Sequence, residues 1–500
     1  MQNNLSFGYV AGLPKEELER LNRLAEVYNY HRSKNILKDR YYEGHIPLRE
    51  VNLGLALPRE LRGLEIDCEW GAKAVDVLAA RSMFDGFVGM NGIYPEELDR
   101  ILKGNRFIAA YKKATRDELK YGCTFATMTK DSRVGCKIRF HSPETAAALW
   151  NGEKERIDCG FAIVDTVPDE SQSVFWVPSM INYQTDNAIY VLKRVNGNRW
   201  VAKAYPHKMG RPLMEPLIWN ATSKKPFGRS RLKSPIRRLI QGHVRTVANA
   251  TIGLEFATSP QKYLLGVTED QYEKIINDKF RQYVGSIIAG TINPETNEKP
   301  TFGQLQQGTI SPHVEMMRLL ATQFSAATGL SVTDTGIVND ANPTSSDAIL
   351  AQSQTLVAMA EELNAGNGDA LQTVARMALA ISNNVKLEEL SEEQSGVMAH
   401  FKNPAMPSVA VTADAAIKIA TARQGFAQTD VFLEMVGFDQ ADIRRIKAQE
   451  SRNRGLSFLN ELMETPETAP TGEETGNGGN GGAAGTQPQA EGTAGAGETA

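Results

Sequence analysis

Nine lysines and arginines fall between Lys224 and Lys262: Lys224, Lys225, Arg229, Arg231, Lys233, Arg237, Arg238, Arg245 and Lys262. Glu255 alone opposes them, so the segment carries +8 in a chain whose formal total is −4. The chemistry open to such a cluster is electrostatic contact with phosphates, which is independent of base sequence and weakened by salt. Its aromatic residues are Phe227, Phe256 and Tyr263, too few to stack on bases, so a duplex would be touched at its backbone. A solvated helix face with balanced surface charge accounts for the same residues, and one chain leaves both open.

Other chemistry finds less support. Seven histidines (His31, His45, His141, His207, His243, His313 and His400) are scattered, with no pair at i, i+3 or i+4. Cys68, Cys123, Cys136 and Cys159 are separated by 55, 13 and 23 residues, lack zinc-site spacing, and are expected as buried thiols in a reducing compartment. The chain contains no phosphate-cradling G-x-x-x-x-G-K-[ST] loop, no H-E-x-x-H and no G-x-S-x-G. No cofactor, metal or catalytic residue is therefore expected. A nuclease-like DNA-processing enzyme stays open as an alternative, because carboxylates can assemble from distant positions. There is no apolar run of about 18 residues to span a membrane, and the N-terminus lacks the pattern of a signal peptide.

The elements that must position these residues follow from periodicity. Residues 13–40 predict a helix with acidic Glu16, Glu17 and Glu19 in its first turns, and further helices are expected over 69–81, 95–103 and 110–120. From Cys136 to Trp219 the pattern turns to short β-rich runs. Ala188–Val195 and Arg199–Tyr205 flank Asn196-Gly197-Asn198, where Asn-Gly predicts a hairpin turn. Ser234-Pro235 opens a helix to Ala257 with Ile236, Leu239, Ile240, Val244, Val247, Ala248 and Ile252 on one stripe. At 1.5 Å per residue it is roughly 35 Å long. Residues 261–310 read as a compact insertion. Ser311-Pro312 starts a second helix with Val314, Met317, Leu320, Ala321 and Phe324 on its stripe and Gly329 past its end. A polar loop over 330–343 precedes helices over 344–363 and 369–383, broken by Asn364-Ala365-Gly366-Asn367-Gly368, and a last helical stretch covers 413–460. From Glu464 onward there are six glutamates and no Lys, Arg or aromatic residue, a composition expected to stay disordered; without it the rest carries +2.

The order and spacing of several stretches resemble tailed-bacteriophage portal proteins, of the type found in siphophages of Gram-positive hosts. They are Tyr41–Gly44, Leu53–Pro58, Trp70–Phe87, Phe227–Arg231 through Gln261–Gly266, Ala341–Ile349, Ala413–Lys418 and Gly437–Asp439. The likeness covers about residues 13–455, and the Gly-rich acidic tail lies outside it.

The resemblance implies an α+β, mainly α subunit. Residues 1–135 would be a helical wing, 136–223 a β-rich wing subdomain, 224–257 a first stem helix with a basic lead-in, and 258–310 a clip. A second stem helix over 311–329, a channel (tunnel) loop over 330–343, inner helices and crown over 344–463 and a disordered tail over 464–500 complete it. It also implies a homo-oligomeric ring, commonly a dodecamer, at one capsid vertex of the virion, assembled in the host cytoplasm, through which DNA is packaged and ejected. Implied partners are double-stranded DNA, the terminase large subunit that supplies the ATPase, a head–tail connector, and major capsid and scaffolding proteins, with no membrane. The implied channel loop contains Thr333, Asp334, Thr335, Asn339, Asp340 and Asn342, polar or acidic residues that would let DNA slide. Arg237, Arg238 and Arg245 would be the basic stem residues, and Lys262, Tyr263, Tyr272, Lys279 and Arg281 the docking residues of the clip. Another minor capsid or connector protein is the second alternative.

Overall fold

The computed structural model describes residues 4–46, 66–89, 95–168, 176–195, 199–258, 262–266, 292, 297, 299, 301–304, 309–336, 346–405 and 409–464. Expectations for Leu53–Pro58, the Asn196–Asn198 turn, most of the insertion, residues 337–345 and the tail beyond Glu464 lie outside them. The chain divides into two units, Met1–Gly437 and Phe438–Ala500.

The first unit is α+β and mainly helical. It opens with β1 (Val10–Ala11), α1 (Lys15–Glu43), α2 (Trp70–Arg81), β2 (Phe84–Val88), α3 (Glu96–Asn105) and α4 (Phe107–Tyr121). Eight strands follow: β3 (Cys123–Asp131), β4 (Gly135–His141), β5 (Ala146–Asn151), β6 (Arg156–Pro168), β7 (Trp176–Gln184), β8 (Ala188–Val195), β9 (Arg199–Pro206) and β10 (Met214–Ile218). Then come α5 (Ser234–Thr258), β11 (Lys262–Leu265), β12 (Thr301–Gln304), α6 (Ser311–Thr328), α7 (Ser346–Asn383), β13 (Met398–Phe401), α8 (Val409–Ala422) and α9 (Asp430–Val436). In the second unit the described element is α10 (Gln440–Glu464), whose polar surface carries the ion pairs Arg445–Asp442 and Arg454–Glu450.

The strands β1-β9-β8-β7-β6-β5 form one sheet and β10-β3-β4 a second. The β8–β9 hairpin expected from Asn-Gly is present, pairing Ala188 with Pro206 through Val195 with Arg199. α1 crosses the larger sheet and buries Leu21, Leu24 and Ala25 against Phe161, Tyr183, Leu192 and Trp200. The β-rich run starts earlier than its expected onset at Cys136. The first six residues of β3 are all buried, so Cys123–Met128 shows no polar alternation to mark a strand.

Two helical expectations are corrected. Residues 346–383 form one continuous helix rather than two broken over 364–368. The side chain of Asn367 is fully buried and donates to Tyr111 Oη at 3.0 Å and to Glu118 Oε2 at 2.9 Å, while Leu363, Leu371 and Val374 are buried on either side. Tertiary contacts at these positions outweigh the weak helix propensity of Asn and Gly. Conversely, the single stretch expected over 413–460 is three helices: the first stops at Ala422, shortly before Gly425, and the second at Gly437, both glycines with positive φ.

At the α1–α2 crossing the backbones touch. A Cβ on Gly71 would sit 1.8 Å from the carbonyl oxygen of Tyr41, so only glycine fits. Gly71→Ala should therefore cost on the order of 2–3 kcal/mol in urea unfolding. Burial pushes the Glu118 carboxyl up to about 8 from an ordinary value of 4.5, against the opposing hydrogen bond from Asn367. A raised folded value means the unfolded chain ionises first, so stability falls as pH rises from about 4.5 to about 8. Glu118→Gln should flatten that part of the melting-temperature profile, and a variant with an unchanged slope would refute the assignment.

Candidate functional site

The basic cluster of the sequence divides once folded. The chain enters α5 through residues 225–233, a lead-in anchored on the end of α4: Arg231 N donates to Leu119 O at 2.8 Å and Ser230 Oγ to Lys120 O at 2.5 Å. The guanidinium of Arg231 is buried and donates to the carbonyls of Ala74 on α2 and Thr328 at the end of α6. Burial lowers its pKa to about 10, leaving it charged at neutral pH. Arg231 is thus a structural clamp and is withdrawn from the phosphate-contacting set.

Arg237, Arg238 and Arg245 also separate. Successive residues on a helix point about 100° apart. Arg237 turns back, its Nη1 donating to Leu232 O at 2.8 Å and its guanidinium lying over the Tyr41 ring at 5.8 Å. Arg238 and Arg245, two turns apart, share an exposed face of α5. The structure therefore brings Arg238 and Arg245 together and sends Arg237 elsewhere.

The α5 and α6 rods pack through Ile236, Ile240, Val244 and Ala248 on one side and Leu320, Ala321 and Phe324 on the other. The expected α6 stripe holds in its C-terminal half, whereas Val314 is exposed. Trp70, the first residue of α2, wedges into this pair. Its indole stacks on His243 with centroids 4.1 Å apart and an interplanar angle of 23°, and meets Phe324 at 4.8 Å. Burial lowers the His243 pKa, so a neutral imidazole faces the indole. Nε1 of Trp70 donates to the carbonyl of Thr335 at 3.2 Å and so pins the start of the loop after α6 to α2. No motif announces this role; the available signal is a Trp opening a helix and a lone His within an apolar stripe.

In that loop Thr333–Thr335 forms a 3₁₀ turn with Thr333 exposed. Asp334 Oδ2 accepts from Ser331 N at 3.0 Å and from Ser331 Oγ at 2.9 Å, so its carboxylate closes the turn. Asn339, Asp340 and Asn342 lie outside the described residues. Between the rods, β11 and β12 pair antiparallel, Lys262 with Gln304 through Leu265 with Thr301. Lys262 and Tyr263 are thus on the two-stranded base of the insertion, and Tyr272, Lys279 and Arg281 lie outside the described residues. All four cysteines are free and buried, and burial raises each thiol, to about 11 for Cys68 and Cys159 and about 12 for Cys123 and Cys136.

No family model and no curated protein matches the chain. Among solved structures, a chain of the virion of a native gene transfer agent particle is similar at 13% identity, covering 81% of this chain and 93% of its own, with a TM-score of 0.45. A chain of the neck of the native particle, computed with C12 symmetry, is similar at 14% identity over 74% of this chain and 89% of its own, with a TM-score of 0.40. A HK97 family phage portal protein from Corynebacterium diphtheriae is similar at 13% identity over 67% of this chain and 94% of its own, with a TM-score of 0.33.

Removing the Trp70 wedge tests its role. Trp70→Ala should lose about 3–5 kcal/mol in urea unfolding. Trp70→Phe should retain most of that packing yet speed amide exchange over Asp334–Gly336, because the Thr335 carbonyl loses its donor.

Proposed function

We propose that this chain is a portal subunit, a non-enzymatic DNA conduit of the kind found in siphophages of Gram-positive hosts. The observation that carries the proposal is the α5–α6 pair. Two antiparallel rods joined by an insertion with its own strand base leave Leu254, Val314, Met316 and Leu319 exposed by 46, 38, 43 and 51%. Exposed apolar side chains along one rod pair are characteristic of an interface. A second copy of the same rod pair is the occupant, and repetition of a heterologous contact of this type closes a ring when the rotation permits.

In such a ring, of twelve copies at a capsid vertex, Arg238 and Arg245 meet the duplex backbone or a neighbour's carboxylates. The loop from Thr333 onward then borders the channel, with Thr333 as its exposed hydroxyl. The insertion carrying Lys262 and Tyr263 docks the terminase large subunit and afterwards the head–tail connector, while major capsid and scaffolding proteins surround the wing. The energy for translocation comes from the terminase, in keeping with the missing phosphate-binding loop. DNA passes without base readout, so the contacts are backbone-directed and salt-sensitive.

Light scattering on the purified chain, with negative-stain imaging, tests assembly directly: an annular particle is expected. Combining Met316→Asp with Leu319→Asp should yield monomers that keep the wild-type circular dichroism spectrum. A wild-type monomer that cleaves DNA with Mg²⁺ would overturn the conduit. Reversing charge at Arg238 and Arg245 together should lower packaged DNA per particle where they face the duplex, or break rings where they meet a neighbour's carboxylates, and intact rings with undiminished packaging would refute their part.

A further inference from the structure

A cleft of about 500 Å³ opens between α1 and the lead-in to α5. Lys34, Lys38, Lys225, Arg229, Lys233 and Arg237 line it, and no aspartate or glutamate does. The partners these cations have are uncharged. Lys34 Nζ lies 3.9 Å from the Tyr30 ring centroid, Lys38 Nζ donates to Tyr121 O at 2.9 Å, and Arg237 Nη1 donates to Leu232 O. Among the described residues none of the six is ion-paired. Lysines and arginines left together without a counter-charge repel one another, a cost that a bound anion removes. At Lys38 burial lowers the pKa to about 8; Cys123 opposes that lowering, and Arg237 and Lys34 add to it.

The depth of the cations discriminates between anions. Lys225, Arg229 and Lys233 are exposed at the rim, whereas Lys38 and Arg237 are partly buried beneath it. A phosphate of a duplex backbone, held on a rod wider than the cleft, reaches the rim alone. A chain of linked phosphates reaches from the rim cations to Lys38 and Arg237 beneath them. The floor is apolar, including Tyr28, Phe125 and Phe227, with Phe227 fixed edge-on against Phe125 and Trp150 at 5.8 and 5.7 Å. That surface suits the base of a nucleotide but offers nothing to further charge.

We propose that this cleft is a binding site for a small polyphosphate anion, free or as a nucleoside polyphosphate. The site is separate from the exposed Arg238–Arg245 pair, neither of which lines it. Calorimetric titration of the full chain at low salt uses three probes: inorganic tripolyphosphate, ATP and a short DNA duplex at matched phosphate concentration. Tripolyphosphate should bind at one per chain. Arg229→Glu and Lys233→Glu should each weaken it by at least about tenfold, an effect that added salt erodes. Arg133→Glu, an exposed reversal outside the cleft, should not. Tighter binding of ATP than of tripolyphosphate assigns the floor to the base, and equal binding assigns the site to free polyphosphate. The rim variants should melt with the wild type, since their side chains are exposed. Absence of saturable tripolyphosphate binding, or binding untouched by both rim reversals in folded protein, overturns the site. Saturation by duplex alone, lost in those variants, transfers the rim cations to nucleic acid and overturns it equally.

Discussion

The stack of Trp70 on His243 is the constraint around which α2, α5 and α6 are arranged. One indole touches a helix from each of three separate parts of the chain: α2 that carries it, α5 through His243 and α6 through Phe324. Its ring nitrogen then reaches the loop that leaves α6. Arg231 repeats the joint by polar means, tying the carbonyl of Ala74 on α2 to that of Thr328 on α6. An aromatic wedge and a buried guanidinium thus both join α2 to α6, the guanidinium from the lead-in to α5. Carbonyl acceptors, which carry no charge of their own, make Arg231 costly to lose: an unpaired partner on either helix would be left buried.

This division of labour changes what the basic segment means. Counted along the chain, nine cations form one patch. In space they serve at least three purposes: Arg231 clamps helices, Arg238 and Arg245 face outward from α5, and Lys225, Arg229, Lys233 and Arg237 turn toward α1. A net +8 over 39 residues measures potential and says nothing about where its sources point.

Much of the architecture was legible because its signals were local. The β8–β9 hairpin follows from Asn-Gly between β-branched runs, and the α5 and α6 boundaries follow from Ser-Pro starts and from a helical stripe that ends at Gly329. What stayed hidden depends on contacts distant in sequence. β3 is buried on both faces and loses its alternation. α7 runs through two glycines and two asparagines because Asn367 is held by Tyr111 and Glu118, some 250 residues earlier. The fate of Arg231 was equally invisible, since its partners are carbonyls and every residue has one. The same limit applies to the loop: Asp334 reads as a free charge in sequence and spends its carboxylate on Ser331.

The strand pair at the base of the insertion has an architectural corollary. β11 starts four residues after α5 ends, and β12 ends seven residues before α6 begins. A hydrogen-bonded buckle at that point fixes the gap between the two rods whatever is strung beyond it. The excursion then behaves as an exchangeable cassette: it is free to change length and chemistry, while the spacing of the shafts beneath stays constant.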